Sequence, residues 1–181
     1  SARHHVMAQC HFGLEYNSDY GTWDPHGGYR FPFGFVDGHV GVHDVFPGKG
    51  IAIELASEGA SVYFTGRSTD EDPTRPGTLA ATAGEIEAVG GRGIGLRCDH
   101  HVDADVAAVF ERIEKNEGQL DILVNNATAD LEQMIGKPSW ELPLELWDDV
   151  IGVGLRSHYV ASMLAAPLMI PQRSGLIVNV S

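Results

Sequence analysis

Cysteine is almost missing from this chain: Cys10 and Cys98 are the only two among 181 residues. Their separation excludes a disulfide framework and any CxxC site, so a reduced, cytoplasmic setting is expected. Positive charge is also scarce. Twelve basic residues stand against 25 acidic ones, a formal charge of −13, which argues against nucleic acid or an anionic membrane surface as partner. No apolar run reaches the length of a membrane span, and the start carries no secretory pattern. There is no complete GxGxxG or Walker sequence and no internal repeat. The length nevertheless allows one domain with a substantial core.

What is present divides near residue 47. Residues 1–47 hold six of the nine histidines and nine of the fifteen aromatics, with only Arg3 and Arg30 as basic residues. Gly27-Gly28, Pro25 and Pro32 punctuate this part, and neither a helical nor a strand period persists. It reads as an atypical segment, either poorly ordered or a degenerate first strand, with Val40 to Phe46 as its one strand candidate. Because the chain starts at Ser1 rather than at methionine, it reads as a piece of a longer protein.

From residue 48 the pattern is regular. Ile51, Ala52, Leu55 and Ala56 form a helical stripe closed by Gly59. Val62-Tyr63-Phe64 is a buried strand leading to Gly66-Arg67. Leu79, Ala83, Ile86 and Val89 make a second stripe ending at Gly90-Gly91, and Ile94, Leu96 and Cys98 alternate as a strand. Asp103 is placed to cap a third helix that buries Val106, Val109, Phe110 and Ile113. Leu120 to Ala127 forms the next strand. A long helix from about Leu146 to Ile170 is expected to kink at Pro167, with Asp148-Asp149 favouring its first turn. Gly175 to Val180 closes the series. Strands alternating with helices predict an α/β fold with a doubly wound parallel sheet.

Asn125-Asn126 is the most informative pair. Two carboxamides at the end of an apolar strand are costly unless something hydrogen-bonds to them, and ligands of open α/β sheets bind beyond the carboxyl ends of strands. A latch between neighbouring strands is compatible with that role. Gly48 and Gly50 open the first helix, where backbone N–H groups attract phosphate; a plain helix-entry turn is the commoner explanation of so short a glycine pair. Arg67, after the second strand of the regular region, can pair with a ribose 2′-phosphate or stand solvated in a loop. Asp99 can meet an adenine amino group or cap the following turn. The histidines lack the ligand spacing of a metal centre, and no metal is expected. Trp140, Trp147 and Tyr159 read as packing residues.

Together, Gly48-x-Gly50-Ile51-Ala52, Val62 to Arg67, Cys98-Asp99, Leu123-Val124-Asn125-Asn126-Ala127 and Gly175 to Ser181 resemble the short-chain dehydrogenase/reductase family. The resemblance covers about residues 48–181 and implies an incomplete Rossmann-type domain with an aberrant first strand. It implies cofactor contacts at Gly48, Gly50, Arg67, Asp99, Asn125, Asn126 and Ala127, with NADP preferred over NAD. It also implies a small carbonyl or alcohol substrate, with association of like subunits compatible with it. Counting back from Gly48 puts the family's first two phosphate-loop glycines on Val42 and Phe46. The family's catalytic serine falls one residue past Ser181, or on Ser181 if the alignment slips by one. Its Tyr-x-x-x-Lys pair is not among these residues, and its helix asparagine is Gly154 here. A chain without that pair is expected to show no turnover. A non-catalytic nucleotide-binding or interaction module is the alternative, and a product that does not fold stably is a third outcome.

Overall fold

A computed structural model describes residues 5–9, 47–68, 78–129, 134 and 137–180, with the backbone alone for 5–9 and 47. The short apolar runs become five parallel strands: β1 His5–Gln9, β2 Ser61–Gly66, β3 Arg92–Arg97, β4 Ile122–Asn125 and β5 Leu176–Asn179. Their order across the sheet is β3-β2-β1-β4-β5. The helices are α1 Pro47–Ser57, α2 Leu79–Ala88, α3 Asp103–Glu117, α4 Leu144–Ile151 and α5 Ser157–Met169. The expected α/β fold with a parallel sheet is therefore present.

Side chains alternate across a strand, so neighbours belong to opposite cores. Val62 and Phe64 of β2 pack with Ala52, Ala56, Leu79 and Ile86 from α1 and α2. Tyr63, between them, packs with Val106, Phe110 and Ile113 of α3 and Ala161, Ala165 and Leu168 of α5. Leu123 and Val124 of β4 divide in the same way. All six residues of β2 are buried, which is why it reads as a continuous apolar run rather than an alternating one. Helix ends follow the glycine signals: Gly59, Gly90 and Gly118 adopt φ of 90°, 79° and 71°, which L side chains resist.

One expectation lies beyond the described residues, and several others are corrected. Val40 to Phe46 lies outside the described residues, and the strand that fills the central slot is His5–Gln9. Three apolar residues, Val6-Met7-Ala8, are too few to reveal it by periodicity. The long helix is not continuous to a kink at Pro167; it is interrupted by a π-helical turn, Gly152–Arg156, and Pro167 sits within α5. Pro167 lies on the exposed side of α5, where water can take the carbonyl it frees. Asp148 and Asp149 fall late in α4, whose first-turn acid is Glu145. Val102, not Asp103, occupies the N-cap of α3, without a side-chain bond. Val89 is exposed, and Thr82 shares the buried face of α2 with Leu79 and Ile86. No helix among the described residues is long and apolar enough to cross a membrane.

Candidate functional site

The chain runs from β1 to β2 and β3 on one side and to β4 and β5 on the other, so the order reverses between β1 and β4. Crevices for ligands open at such a reversal. The strand registers align Thr65, Gln9, Asn125 and Asn179 across β2, β1, β4 and β5. A row of hydrogen-bonding residue types thus crosses the carboxyl side of the sheet.

Asn125 is fully buried within this row. Its amide donates to Asn179 Oδ1 at 2.8 Å, Ser162 Oγ at 3.2 Å and the His158 carbonyl at 3.5 Å. Its own Oδ1 is buried without a hydrogen-bond partner. Asn125 is therefore the latch between β4, β5 and α5. Asn126 is half-buried just beyond the strand, and its side chain makes no hydrogen bond among the described residues. Ala127 is buried, and its carbonyl meets His158 Nε2 at 2.8 Å. A carbonyl can only accept, so Nε2 carries the proton. Burial draws the His158 pKa below the ordinary 6.5, partly opposed by that bond.

A small cleft of about 80 Å³ lies at the same end of the sheet, lined by Arg67, Asp99, His100, His101, Ala129, Asp149 and Val153. Of the predicted site residues, Arg67 and Asp99 meet here. Arg67 is exposed. Asp99 caps its turn: Oδ1 accepts the His101 N–H at 3.0 Å, and the Asp99 N–H donates to Asp105 Oδ2 at 3.0 Å. His100 is buried with Nε2 2.9 Å from Thr65 Oγ1. His101 Nε2 stands 3.9 Å from Asp149 Oδ1 across the cleft.

Gly48 and Gly50 occupy the first turn of α1, as expected. Gly48 is buried, while a Cβ on Gly50 would meet nothing within 4 Å. The Lys49 ammonium between them is buried against Glu85 Oε1 at 2.7 Å. Ser181, Val42 and Phe46 lie outside the described residues. Among the described residues no group of three His, Cys, Asp or Glu side chains could hold a metal ion. Cys98 is a buried free thiol pushed up to about 12 by desolvation, too high for nucleophilic work.

Sequence reasoning missed His158, Ser162, Thr65 and His100. No local signal marks them, because their partners lie 31 to 37 residues away. The π-helical turn was also missed; its glycines at 152 and 154 are the only hint. Val153 there packs on Ala127 and Ala129, and the Ser157 hydroxyl donates to the Val153 carbonyl at 2.6 Å. Arg156 forms a forked pair with Asp103, Nη2 to Oδ2 at 2.6 Å with a second contact from Nη1. That guanidinium holds the Asp103 carboxyl below its usual range. Trp140, Trp147 and Tyr159 do not pack in a core: all three are exposed.

Residues 47–181 match the family model described as short chain dehydrogenase. The chain is 44% identical over 138 residues to dehydrogenase/reductase SDR family member 1 of Mus musculus and 41% identical to that of Homo sapiens. Both matches cover 74% of this chain but 42% of the relative, so the chain spans well under half of their length. A metagenomic short-chain oxidoreductase crystallised with NADP is 33% identical, with a TM-score of 0.64 over 74% of this chain and 56% of that one. A 7α-hydroxysteroid dehydrogenase complexed with NADH and 7-oxo glycochenodeoxycholic acid is 28% identical, with a TM-score of 0.62 over 74% of this chain and 48% of that one.

Proposed function

This chain belongs to the short-chain dehydrogenase/reductase family, and from that premise we propose that it carries the dinucleotide-binding part of an NADP-dependent oxidoreductase acting on carbonyls and alcohols. The observation that carries the proposal is the juxtaposition of Arg67 and Asp99 in one cleft beside the order reversal. An arginine after β2, with Gly66 before it and no acid in its place, suits a 2′-phosphate rather than a bare ribose diol. Asp99 keeps a role toward an adenine amino group through the carboxylate oxygen that does not cap the turn. Asn126 and the Ala127–Ala129 backbone are the groups that would line the nucleoside beyond β4. Gly48 and Gly50 offer a helix N-terminus to phosphate. A nicotinamide cofactor held there supplies hydride exchange with a substrate carbon.

Titration with NADPH and with NADH, followed by nucleotide fluorescence, tests this. NADPH is expected to bind more tightly, and Arg67→Glu to weaken it by about tenfold or more, since a charge-assisted bond contributes about 1.5–3 kcal/mol. A folded chain that binds neither nucleotide, or a variant that binds NADPH unchanged, overturns the assignment.

The 181 residues contain no Tyr-x-x-x-Lys pair, the pair that would hand a proton to a substrate carbonyl, and no turnover is proposed for this chain alone. NADPH oxidation scaling with chain concentration would refute that part. The exposed Trp147 and Tyr159 favour a second possibility, a non-catalytic nucleotide-binding or interaction module. A cytoplasmic setting and association of like subunits complete the proposal.

A further inference from the structure

We propose that His158 is a positioning residue, one that brackets Asn126 from both sides and so sets the orientation of the β4 tip toward the nucleotide. This deepens the function proposed above and rests on it. His158 reaches the tip twice. Its carbonyl lies 3.5 Å from the Asn125 amide, which Ser162 Oγ also receives at 3.2 Å. Its ring Nε2 donates to the Ala127 carbonyl at 2.8 Å. Asn125 is thereby held by its side chain and Ala127 by its backbone. Asn126, between them, is left half-buried with an amide that bonds to nothing among the described residues.

The bracket depends on where the helix breaks. His158 is the second residue of α5, directly after the π-helical turn Gly152–Arg156. A π-type turn inserts an extra residue, which rotates every later side chain by about 100° relative to an uninterrupted α-helix. Without that offset the His158 ring would not face Ala127. The Ser157 hydroxyl fixes the turn through the Val153 carbonyl at 2.6 Å, and Val153 packs directly on Ala127 and Ala129. Ring and turn thus press on one stretch of backbone, residues 126–129. The histidine is nine-tenths buried, so water does not replace its N–H if the ring is removed.

Two variants of the full chain test the bracket. His158→Gln places an N–H near the position of the imidazole Nε2, whereas His158→Phe keeps a ring of similar size without any donor. Amide exchange over residues 126–129 is expected to rise about tenfold in His158→Phe and to stay near wild type in His158→Gln, because only the former leaves the buried Ala127 carbonyl without a donor. NADPH affinity is expected to follow the same pattern, falling about tenfold in His158→Phe and less than threefold in His158→Gln, a tenfold change being 1.4 kcal/mol. Unchanged exchange in His158→Phe overturns the bracket whether or not NADPH binds. Equal loss in both variants also overturns it, since the ring's bulk and not its donor would then matter. Raised exchange in a chain whose wild type binds no nucleotide supports the bracket and overturns only the proposed function.

Discussion

At the scale of single residues, burial sorts the polar groups at the strand ends: Asn125 is enclosed, whereas Asn126 beside it is half-buried. The strand-end places of Arg67, Asp99 and the Asn125-Asn126 pair are legible because strand pattern and residue chemistry are both local. Their division of labour is not: burial makes Asn125 a latch and leaves Asn126 at the rim, and burial is set by α5, far along the chain. His158 was invisible for the same reason. Its buried ring has a testable consequence for stability. Desolvation lowers its pKa from 6.5 in the folded chain, so the unfolded chain binds the extra proton first as pH falls. Stability is thus unaffected well above 6.5 and declines as pH drops through the unfolded value toward the lowered folded one. Melting temperature measured from about pH 7.5 to about pH 5.5 is expected to fall more for wild type than for His158→Gln. Parallel declines would show that His158 does not titrate against the fold. Asp103, whose carboxyl pKa is depressed from 3.8, adds stability that is fully present across this range and is lost only as pH falls below that value toward the lowered one.

At the scale of elements, α1, α2 and α3 and the strands between them were legible because each combines a periodic apolar stripe with a glycine stop. The helical span of α4 and α5 was legible as well, but the break between them was not. A π-helical turn has no period of its own, and Pro167 is the stronger written signal although it does not break α5. Glycine roles inside elements are equally hidden from the sequence, and the packing distinguishes them. A Cβ at Gly91 would lie 2.6 Å from Ala56 Cβ and 2.9 Å from the Ala56 carbonyl oxygen. Backbone cannot give way as a flexible side chain can, so Gly91→Ala is expected to destabilise by about 1–3 kcal/mol. Gly84, exposed within α2, meets nothing within 4 Å. There Gly84→Ala is expected to stabilise by about 1 kcal/mol, the helix-propensity difference. Denaturant midpoints of the two variants should therefore move in opposite directions. A shift in the same direction would mean that α2 and the turn after it do not pack as described.

At the scale of the whole molecule, parallel α/β architecture followed from alternation of elements, but the occupant of the central slot did not, because strand order is a long-range choice. Surface identity was misjudged for a related reason: apolar residues at helical spacing look like a core stripe wherever they face. Leu144, Trp147, Leu155, Tyr159, Met163 and Ile170 recur at helical intervals through α4, the π-helical turn, α5 and the residue after it, yet all are exposed, from 56% at Met163 to 79% at Leu144. Exposed apolar groups on this scale mark association surfaces. The chain's formal charge of −13 opposes bringing two copies together, and that repulsion is screened over about 10 Å at 0.1 M salt and about 3 Å at 1 M. Apolar association should therefore strengthen with salt, whereas pairing through surface charges should weaken. Sedimentation velocity at about 0.05 M and about 0.5 M sodium chloride is expected to show more dimer at the higher salt. Trp147→Glu combined with Tyr159→Glu should return the chain to monomer at both, because each carboxylate would have to be desolvated in the contact. Dimer that dissolves with salt, or that survives both substitutions, would place the association surface elsewhere on the molecule.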